Sequence, residues 1–271
     1  MANATLMVRA ASHDVDEAHL WAPRLPDRPG RRTLRGRGEA RVDRQARFWN
    51  RLYRRDPEVL GAGPSRFSRW LHRWLGEHST LPGPIVELGC GYGRDAWFWA
   101  RDGRRIRAVD CSGVGLQRAR SRTDPVAHPP EFVQEALLPF LRRVPTASVA
   151  LVYSNLVWNM DFREEEHRLH FDEVARVLRP GGIHAYSVRS THDPWYGRGR
   201  AVAPDTFDLA PQGSVMHFFS REYARSLSTP WFENREIREV REGGREFPIR
   251  LLYVVDRRRR RALTDALDTV K

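Results

Sequence analysis

Long apolar runs are missing from this sequence. No stretch approaches the ~20 residues that cross a bilayer, and the first residues lack the apolar core of a secretory signal. The arginine-rich start resembles a transit leader in composition, but Asp14, Asp16 and Glu17 argue against that reading. Cysteine is scarce: Cys90 and Cys111 are the whole complement. Two thiols give no disulfide framework, so a cytoplasmic location is expected. Lysine is nearly absent too, and with Lys271 the only one, no G-x-x-x-x-G-K-[ST] phosphate loop exists. Basic charge therefore comes from arginine. The net charge of +12 reads as a solvated basic surface with two basic tails, because the arginines do not gather in the glycine-rich segment. An apolar share of 41% over 271 residues is enough for one α/β domain with an extension.

The informative stretch is Glu87-Leu88-Gly89-Cys90-Gly91-Tyr92-Gly93-Arg94-Asp95. An apolar run, Pro84-Ile85-Val86, precedes it. A helical-looking segment follows, and then a second apolar run, Ile106 to Val109, ends in Asp110. Strand, glycine loop, helix, strand and acid make half of a nucleotide-binding α/β sheet. Asp110 stands 23 positions after Glu87, about where such sheets place a carboxylate on a ribose diol, roughly 20 residues past the glycines. The spacing is G-x-G-x-G, however, and Arg94 fills the slot of the last glycine in the dinucleotide fingerprint. A pyrophosphate beside Glu87 would be repelled, whereas a ligand with a cationic end would not. S-adenosylmethionine, a sulfonium with an ammonium group, fits that requirement.

Further along, Val149 to Tyr153 reads as a buried parallel strand. Glu164 to Leu178 reads as a helix with acids at its start. Pro180-Gly181-Gly182 turns the chain into a strand over Ile183 to Val188. Alternating strands and helices imply a doubly wound α/β sheet. Residues 1–40, rich in Arg, Pro and Gly, read as a disordered extension. Residues 41–80 read as a helical N-terminal cap, with Phe48, Trp49, Leu52 and Tyr53 on one face and a core stripe over Phe67 to Leu75. The main domain spans 81–256, and a basic C-terminal tail spans 257–271.

With these motifs the chain resembles the class I S-adenosylmethionine-dependent methyltransferases, and among them the small-molecule branch of tellurite-resistance and thiopurine methyltransferase-like proteins. Glu87 to Gly93 matches the first motif, Asp110 the ribose-binding acid, and Arg176-Val177-Leu178-Arg179-Pro180-Gly181-Gly182 a later helix-to-strand turn. Phe132 to Ala136 stands where the family has an acid after the third strand, with Glu135 in place of the usual Asp. The resemblance implies a Rossmann-like fold with a seven-stranded, mostly parallel sheet flanked by helices. It also implies S-adenosylmethionine as cofactor, held by Glu87, Gly89, Cys90, Gly91, Gly93, Asp110, Cys111, Glu135, Ala136 and Ser154. Trp49 and Tyr53 would lie on a helix closing over the cofactor. No metal is implied.

The acceptor side is less marked. The segment after the fourth strand has neither the Asn/Asp-Pro-Pro-aromatic tetrad of amino methyltransferases nor the Pro-Cys pair of cytosine enzymes. Both absences count against a nucleic-acid base and leave RNA ribose and other classes open; the small-molecule acceptor is what the resemblance implies. Trp158, Arg189, Tyr196 and His217 are the substrate-pocket candidates, with Trp195 and Phe218 as further aromatic walls. His217 and His192 are the candidates for a base, should the acceptor need one. Without an acid–base dyad the reading leans to a soft or easily deprotonated acceptor. Two alternatives stand beside it: an RNA- or protein-directed methyltransferase anchored by arginine-rich tails, and a cofactor-binding module that transfers nothing.

Overall fold

The computed structural model describes residues 35–56, 59–78, 82–209, 215–243 and 248–260, with the backbone alone for 35–40. Most of the expected N-terminal extension, and the tail from 261 on, lie outside the described residues. Helix α1 (Arg35–Arg55) already begins inside the stretch read as disordered. Helix α2 (Arg66–His78) buries Phe67, Leu71, Trp74 and Leu75, a spacing of four, three and one that puts them on one helical face.

The Rossmann-like core alternates as the apolar runs predict. Strand β1 (Ile85–Leu88) leads to α3 (Arg94–Arg101), β2 (Ile106–Asp110) to α4 (Gly113–Ser121), β3 (Glu131–Gln134) to α5 (Leu137–Arg143), and β4 (Val149–Asn155) to α6 (Glu164–Val177). Strand β5 (Leu178–Arg189) starts before the Pro-Gly-Gly turn, so that turn lies within the strand's first residues. The sheet runs β3-β2-β1-β4-β5-β10-β9. Strands β1 to β5 pair in parallel, while β10 (Ile249–Arg258) runs antiparallel to both β5 and β9 (Phe232–Glu242). Strand β10 continues two residues past Asp256, into the stretch read as a basic tail.

Each face of the sheet carries its own core. One gathers Phe67, Trp99, Leu151, Tyr153, Ile183 and Tyr253 under α2 and α3. The other gathers Phe140, Val152, Trp158, Phe171, Tyr186 and Phe232 under α5, α6 and α7 (Arg221–Ser228). Alternation along β4 and β10 sends successive side chains to opposite cores. Each large side chain so buried contributes about 1.5–3 kcal/mol.

Between β5 and α7 the chain makes a small antiparallel sheet from β6 (Arg200–Ala203), β7 (Thr206–Asp208) and β8 (Val215–His217). It sits beyond the carboxyl end of β5. The His217 N–H donates to the Asn159 carbonyl at 2.9 Å, and Phe219 N–H donates to Arg189 at 2.7 Å.

Candidate functional site

Strands β1 to β3 step toward one edge of the sheet, and β4 then starts on the other side of β1. Such a reversal leaves a crevice between the carboxyl ends of the two diverging strands, where open α/β sheets hold their ligands. Here the crevice lies between β1 and β4 and is lined by Tyr53, Glu87, Gly89, Cys90, Gly91 and Asn155, among others.

The glycine loop turns tightly at the end of β1. Gly89 and Gly91 have φ of 70° and 57°, left-handed values that disfavour a side chain. Space forbids one as well: a Cβ would lie 2.4 Å from Val157 Cγ2 at Gly89, and 2.6 Å from the Tyr53 hydroxyl at Gly91. Gly93 is the residue before α3 and donates to the Cys90 carbonyl at 2.9 Å.

Asp110 closes the loop from below. Its Oδ2 accepts the Gly91 N–H at 2.8 Å and its Oδ1 accepts the Ser112 N–H at 2.7 Å. Burial raises its pKa while those amides pull the other way. The carboxylate therefore caps backbone amides and still has lone pairs to spare. Glu87 differs: it is buried, and its Oε2 has no hydrogen-bond partner among the described residues. Burial, then the neighbouring Asp95, push its pKa well above the carboxylate range, and Arg94 opposes them. An unpaired buried carboxylate is costly, and an arriving cation removes the cost. The glycine cradle and this orphaned oxygen suit the cationic, ribose-bearing ligand expected from the sequence.

Helix α1 covers the crevice. Tyr53 is buried, stacked on Trp49 with centroids 5.5 Å apart and edge-on to Tyr92 at 5.5 Å. Asn50 binds the next loop: its Oδ1 accepts from the Ser112 hydroxyl at 2.8 Å and the Val114 N–H at 3.1 Å. Sequence reasoning missed Asn50, although an amide three residues from Tyr53 on the same helical face was a usable signal. Asp95 was missed as well. It accepts the Ser65 N–H at 2.6 Å and the Tyr153 hydroxyl, tying α3 to the start of α2. As placed, the crevice is about 30 Å³, well below the ~300–1,000 Å³ typical of ligand pockets, with Tyr53 as the part of its wall that α1 supplies.

Other expected contacts fall differently. Ser154 is fully buried with its hydroxyl unpartnered, and it is Asn155 that lines the crevice, as alternation along a strand requires. The Glu135 carboxylate already holds the Arg143 guanidinium through both oxygens, while its N–H donates to the Asp110 carbonyl at 3.1 Å. Ala136 is the residue that precedes α5. Cys90 lines the crevice, and burial pushes the pKa of its thiol well up. Cys111 is pushed up to about 12 by burial and by Asp110. Both thiols stay protonated at neutral pH, and no cluster of metal-ligating side chains occurs among the described residues.

The acceptor candidates are corrected more strongly. Trp158 is fully buried in the core, against Phe162, His170, Phe171 and His184; it walls no open pocket. Phe218 is likewise buried, against Tyr196 and Phe207. Arg189 is committed to Asp193 at 2.9 Å, and Asp193 also accepts the Arg250 and Trp195 amides at 2.7 and 2.9 Å. Tyr196 is exposed and donates to Asp205 at 2.6 Å. Cation–π contact joins Arg198 to Trp195 at 5.6 Å. His217 bonds the Thr206 hydroxyl at 2.8 Å and packs on His167, Phe219 and Tyr223; burial pushes its pKa down to about 4. His192 is largely exposed and pairs with Glu239 of β9 at 2.9 Å. Neither histidine lines the crevice, because β8 turns His217 into the joint between the small sheet and the core.

Residues 85–182 match the family model of a methyltransferase domain. Over 163 residues the chain is 33% identical to the malonyl-[acyl-carrier protein] O-methyltransferase of Salmonella typhimurium, covering 55% of this chain and 59% of that protein. It is 31% identical over 141 residues to a trans-aconitate 2-methyltransferase of Azoarcus sp., covering 44% and 50% of the two chains. The chain spans about half the length of the curated relatives it matches. Among solved structures, the Burkholderia thailandensis 1,6-didemethyltoxoflavin-N1-methyltransferase with S-adenosylhomocysteine superposes with a TM-score of 0.62 at 20% identity, over 88% of this chain and 95% of that one; this likeness bears on the fold. Domain match, relatives and topology together support a class I S-adenosylmethionine-dependent methyltransferase domain. Among the described residues, no helix is long and apolar enough to cross a membrane.

Proposed function

We propose that this protein transfers a methyl group from S-adenosylmethionine to a small carboxylic acid, free or borne on a carrier. The observation that carries the cofactor half is the orphaned Glu87 oxygen beside the glycine loop, at the crevice between β1 and β4. In this reading Asp110 takes the ribose hydroxyls with its remaining lone pairs. Glu87 faces the cationic end, Cys90 and Cys111 shape the loop walls, and Trp49, Asn50 and Tyr53 close over the ligand. Gln134, whose amide lies 3.0 Å from where a Gly113 Cβ would stand, with Glu135 and Ala136, borders the adenine end.

The acceptor half rests on a lack. Among the described residues no histidine lines the crevice, and an acceptor that arrives deprotonated fits that lining. The acceptors in the relatives' names, malonyl-[acyl-carrier protein] and trans-aconitate, both contain a carboxylate. This reading keeps the small acceptor expected from the tellurite and thiopurine resemblance and puts carboxylate oxygen in the place of sulfur. When bound, S-adenosylmethionine supplies an electrophilic methyl group. The chain's task is then to hold the acceptor oxygen in line and keep water out, an orientation effect worth up to ~7–11 kcal/mol.

The test is calorimetric titration of S-adenosylmethionine and S-adenosylhomocysteine into wild type, Asp110→Asn and Glu87→Gln. Losing charge-assisted hydrogen bonds weakens binding by about tenfold or more in each variant. A turnover screen of dicarboxylates against thiols follows. A folded wild type that binds neither ligand defeats the cofactor reading, and turnover with thiols alone defeats the carboxylate reading.

A further inference from the structure

Helix α1 has a second face. Its inner side meets the crevice through Tyr53, on which Trp49 stacks, and holds the loop before α4 through Asn50; its outer side presents Arg44, Arg47, Arg51, Arg54 and Arg55, all exposed. Their spacing of three, four, three and one places them on one stripe, about 16 Å long at 1.5 Å per residue. The whole helix carries eight arginines against Glu39 and Asp43. Arg44 lies 3.8 Å from Asp161, and no described acid pairs with Arg47, Arg51, Arg54 or Arg55. Like charges three and four residues apart weaken a helix by ~0.2–0.5 kcal/mol per pair. A partner that neutralises the stripe removes this cost.

We propose that this stripe docks an acidic carrier protein, whose helix presents carboxylates along about three turns and whose cargo is the acceptor acid. The inference rests on the reading of the crevice as a methyl-transfer site. Guanidinium forks pair with carboxylates through two parallel bonds, and charge complementarity of this kind steers association. The stripe lies on the same helix that supplies Tyr53 to the crevice wall, so a protein seated there contacts an element of the methyl-transfer site. Single-stranded RNA is the competing occupant, because sequence-tolerant RNA surfaces interleave stacking rings with cations and half-buried Phe48 lies four residues after Arg44 and three before Arg51. The carrier is favoured because a relative's acceptor is an acid borne on a carrier protein.

The experiment uses the full chain, with Arg47→Glu/Arg51→Glu/Arg54→Glu and the milder Arg47→Gln/Arg51→Gln/Arg54→Gln. The probe is a labelled malonyl-loaded acyl carrier protein followed by fluorescence anisotropy, with S-adenosylmethionine calorimetry in parallel. Wild type binds the carrier, and binding weakens about tenfold as salt rises from about 50 to about 200 mM. The glutamate variant loses at least about tenfold and the glutamine variant falls between. Cofactor affinity is unchanged in both variants, and turnover shows a raised KM for the carrier with kcat held. Carrier binding that is absent from wild type, or unaffected by charge reversal, overturns the proposal. So does tighter binding of an RNA oligonucleotide than of the carrier. Failure of cofactor binding in wild type defeats the methyl-transfer reading instead, and the anisotropy result stands apart from it.

Discussion

Acid should reveal the buried histidines, and His184 is the one to perturb. It sits on β5 with no exposed surface, and neither ring nitrogen has a hydrogen-bond partner. Phe171 and Tyr186 lie 4.8 Å from it centroid to centroid, with Phe232 at 5.7 Å. Burial alone drives its pKa from 6.5 to about 3. The sign follows from which state binds the proton. Below pH 6.5 the unfolded chain takes a proton on this ring and the folded chain does not until about pH 3. Folding stability contributed by the neutral ring is thus complete above the unfolded pKa and is lost as pH falls. One pH unit of such linkage is about 1.4 kcal/mol.

His167, also pushed to about 3, and His217, pushed to about 4, act in the same direction. Asp256 acts in the opposite one: burial lifts its carboxyl to about 7, so the folded chain gains its proton first and is stabilised by acid. Wild-type stability against pH is therefore a sum of opposing slopes, and the useful quantity is a difference. His184→Leu keeps nearly the same volume, removes the unpaired N–H and abolishes one proton's linkage. Urea unfolding of wild type and variant at about pH 7.5 and about pH 5.5 should show the variant's advantage growing by about 1.4 kcal/mol on acidification. Asp256 is the cross-strand partner of His184, so the same comparison in an Asp256→Asn background separates its contribution. An advantage that is the same at both pH values refutes the neutral, proton-excluding account of His184.

Two further perturbations follow from the geometry. Gly91→Ala forces a side chain onto a backbone at φ 57° and into the Tyr53 hydroxyl, so thermal unfolding should show about 1–2 kcal/mol lost. Adding Tyr53→Phe should restore only the part due to the clash; full restoration would show that the backbone is not strained. Asp193→Ala leaves Arg189 without its buried partner and frees the Trp195 and Arg250 amides. About 3–5 kcal/mol is at stake when one member of a buried pair is removed, and hydrogen exchange should rise first in residues 190–217; a change spread evenly over the sheet would contradict the role of Asp193 as the anchor of the small sheet.

The central sheet was legible because its code is local. Ile85 to Leu88 and Val149 to Tyr153 are apolar runs bounded by turn residues, and Glu87 to Gly93 is a turn that only glycine can make at this tightness. The acceptor side was not legible, because burial there is decided by residues far apart in sequence. Nothing near Trp158 announces that Phe171, thirteen positions later, and His184 on the next strand will close over it. Arg189 reads as a ligand contact until Asp193 is seen to take it. Ser154 and Asn155 are adjacent polar residues at a strand end, and only the strand's register decides which reaches the crevice.

The same contrast separates what is fixed from what must move. Glu87 and Asp110 belong to strands held on both sides by parallel neighbours, and Gly89, directly after β1, donates to the Val109 carbonyl at 2.8 Å, so the cofactor half of the crevice is preorganised. Its cover is held by side chains alone: α1 rests on the loop before α4 through Asn50, on the glycine loop through Tyr53, on α6 through the Arg41–Glu166 ion pair, and beside Asp161 through Arg44. Regions held by few such contacts open at lower cost than sheet cores. The crevice under that cover is about 30 Å³, below the ~300–1,000 Å³ of ligand pockets, so binding at this site is expected to move α1 or the Tyr53 ring outward. The arginine stripe rides on the same helix, so a carrier docked there bears directly on the element whose movement admits the cofactor. Coupling between the two ligands is reciprocal by linkage: if the carrier favours the closed position of α1 around bound cofactor, the cofactor must tighten carrier binding by the same factor.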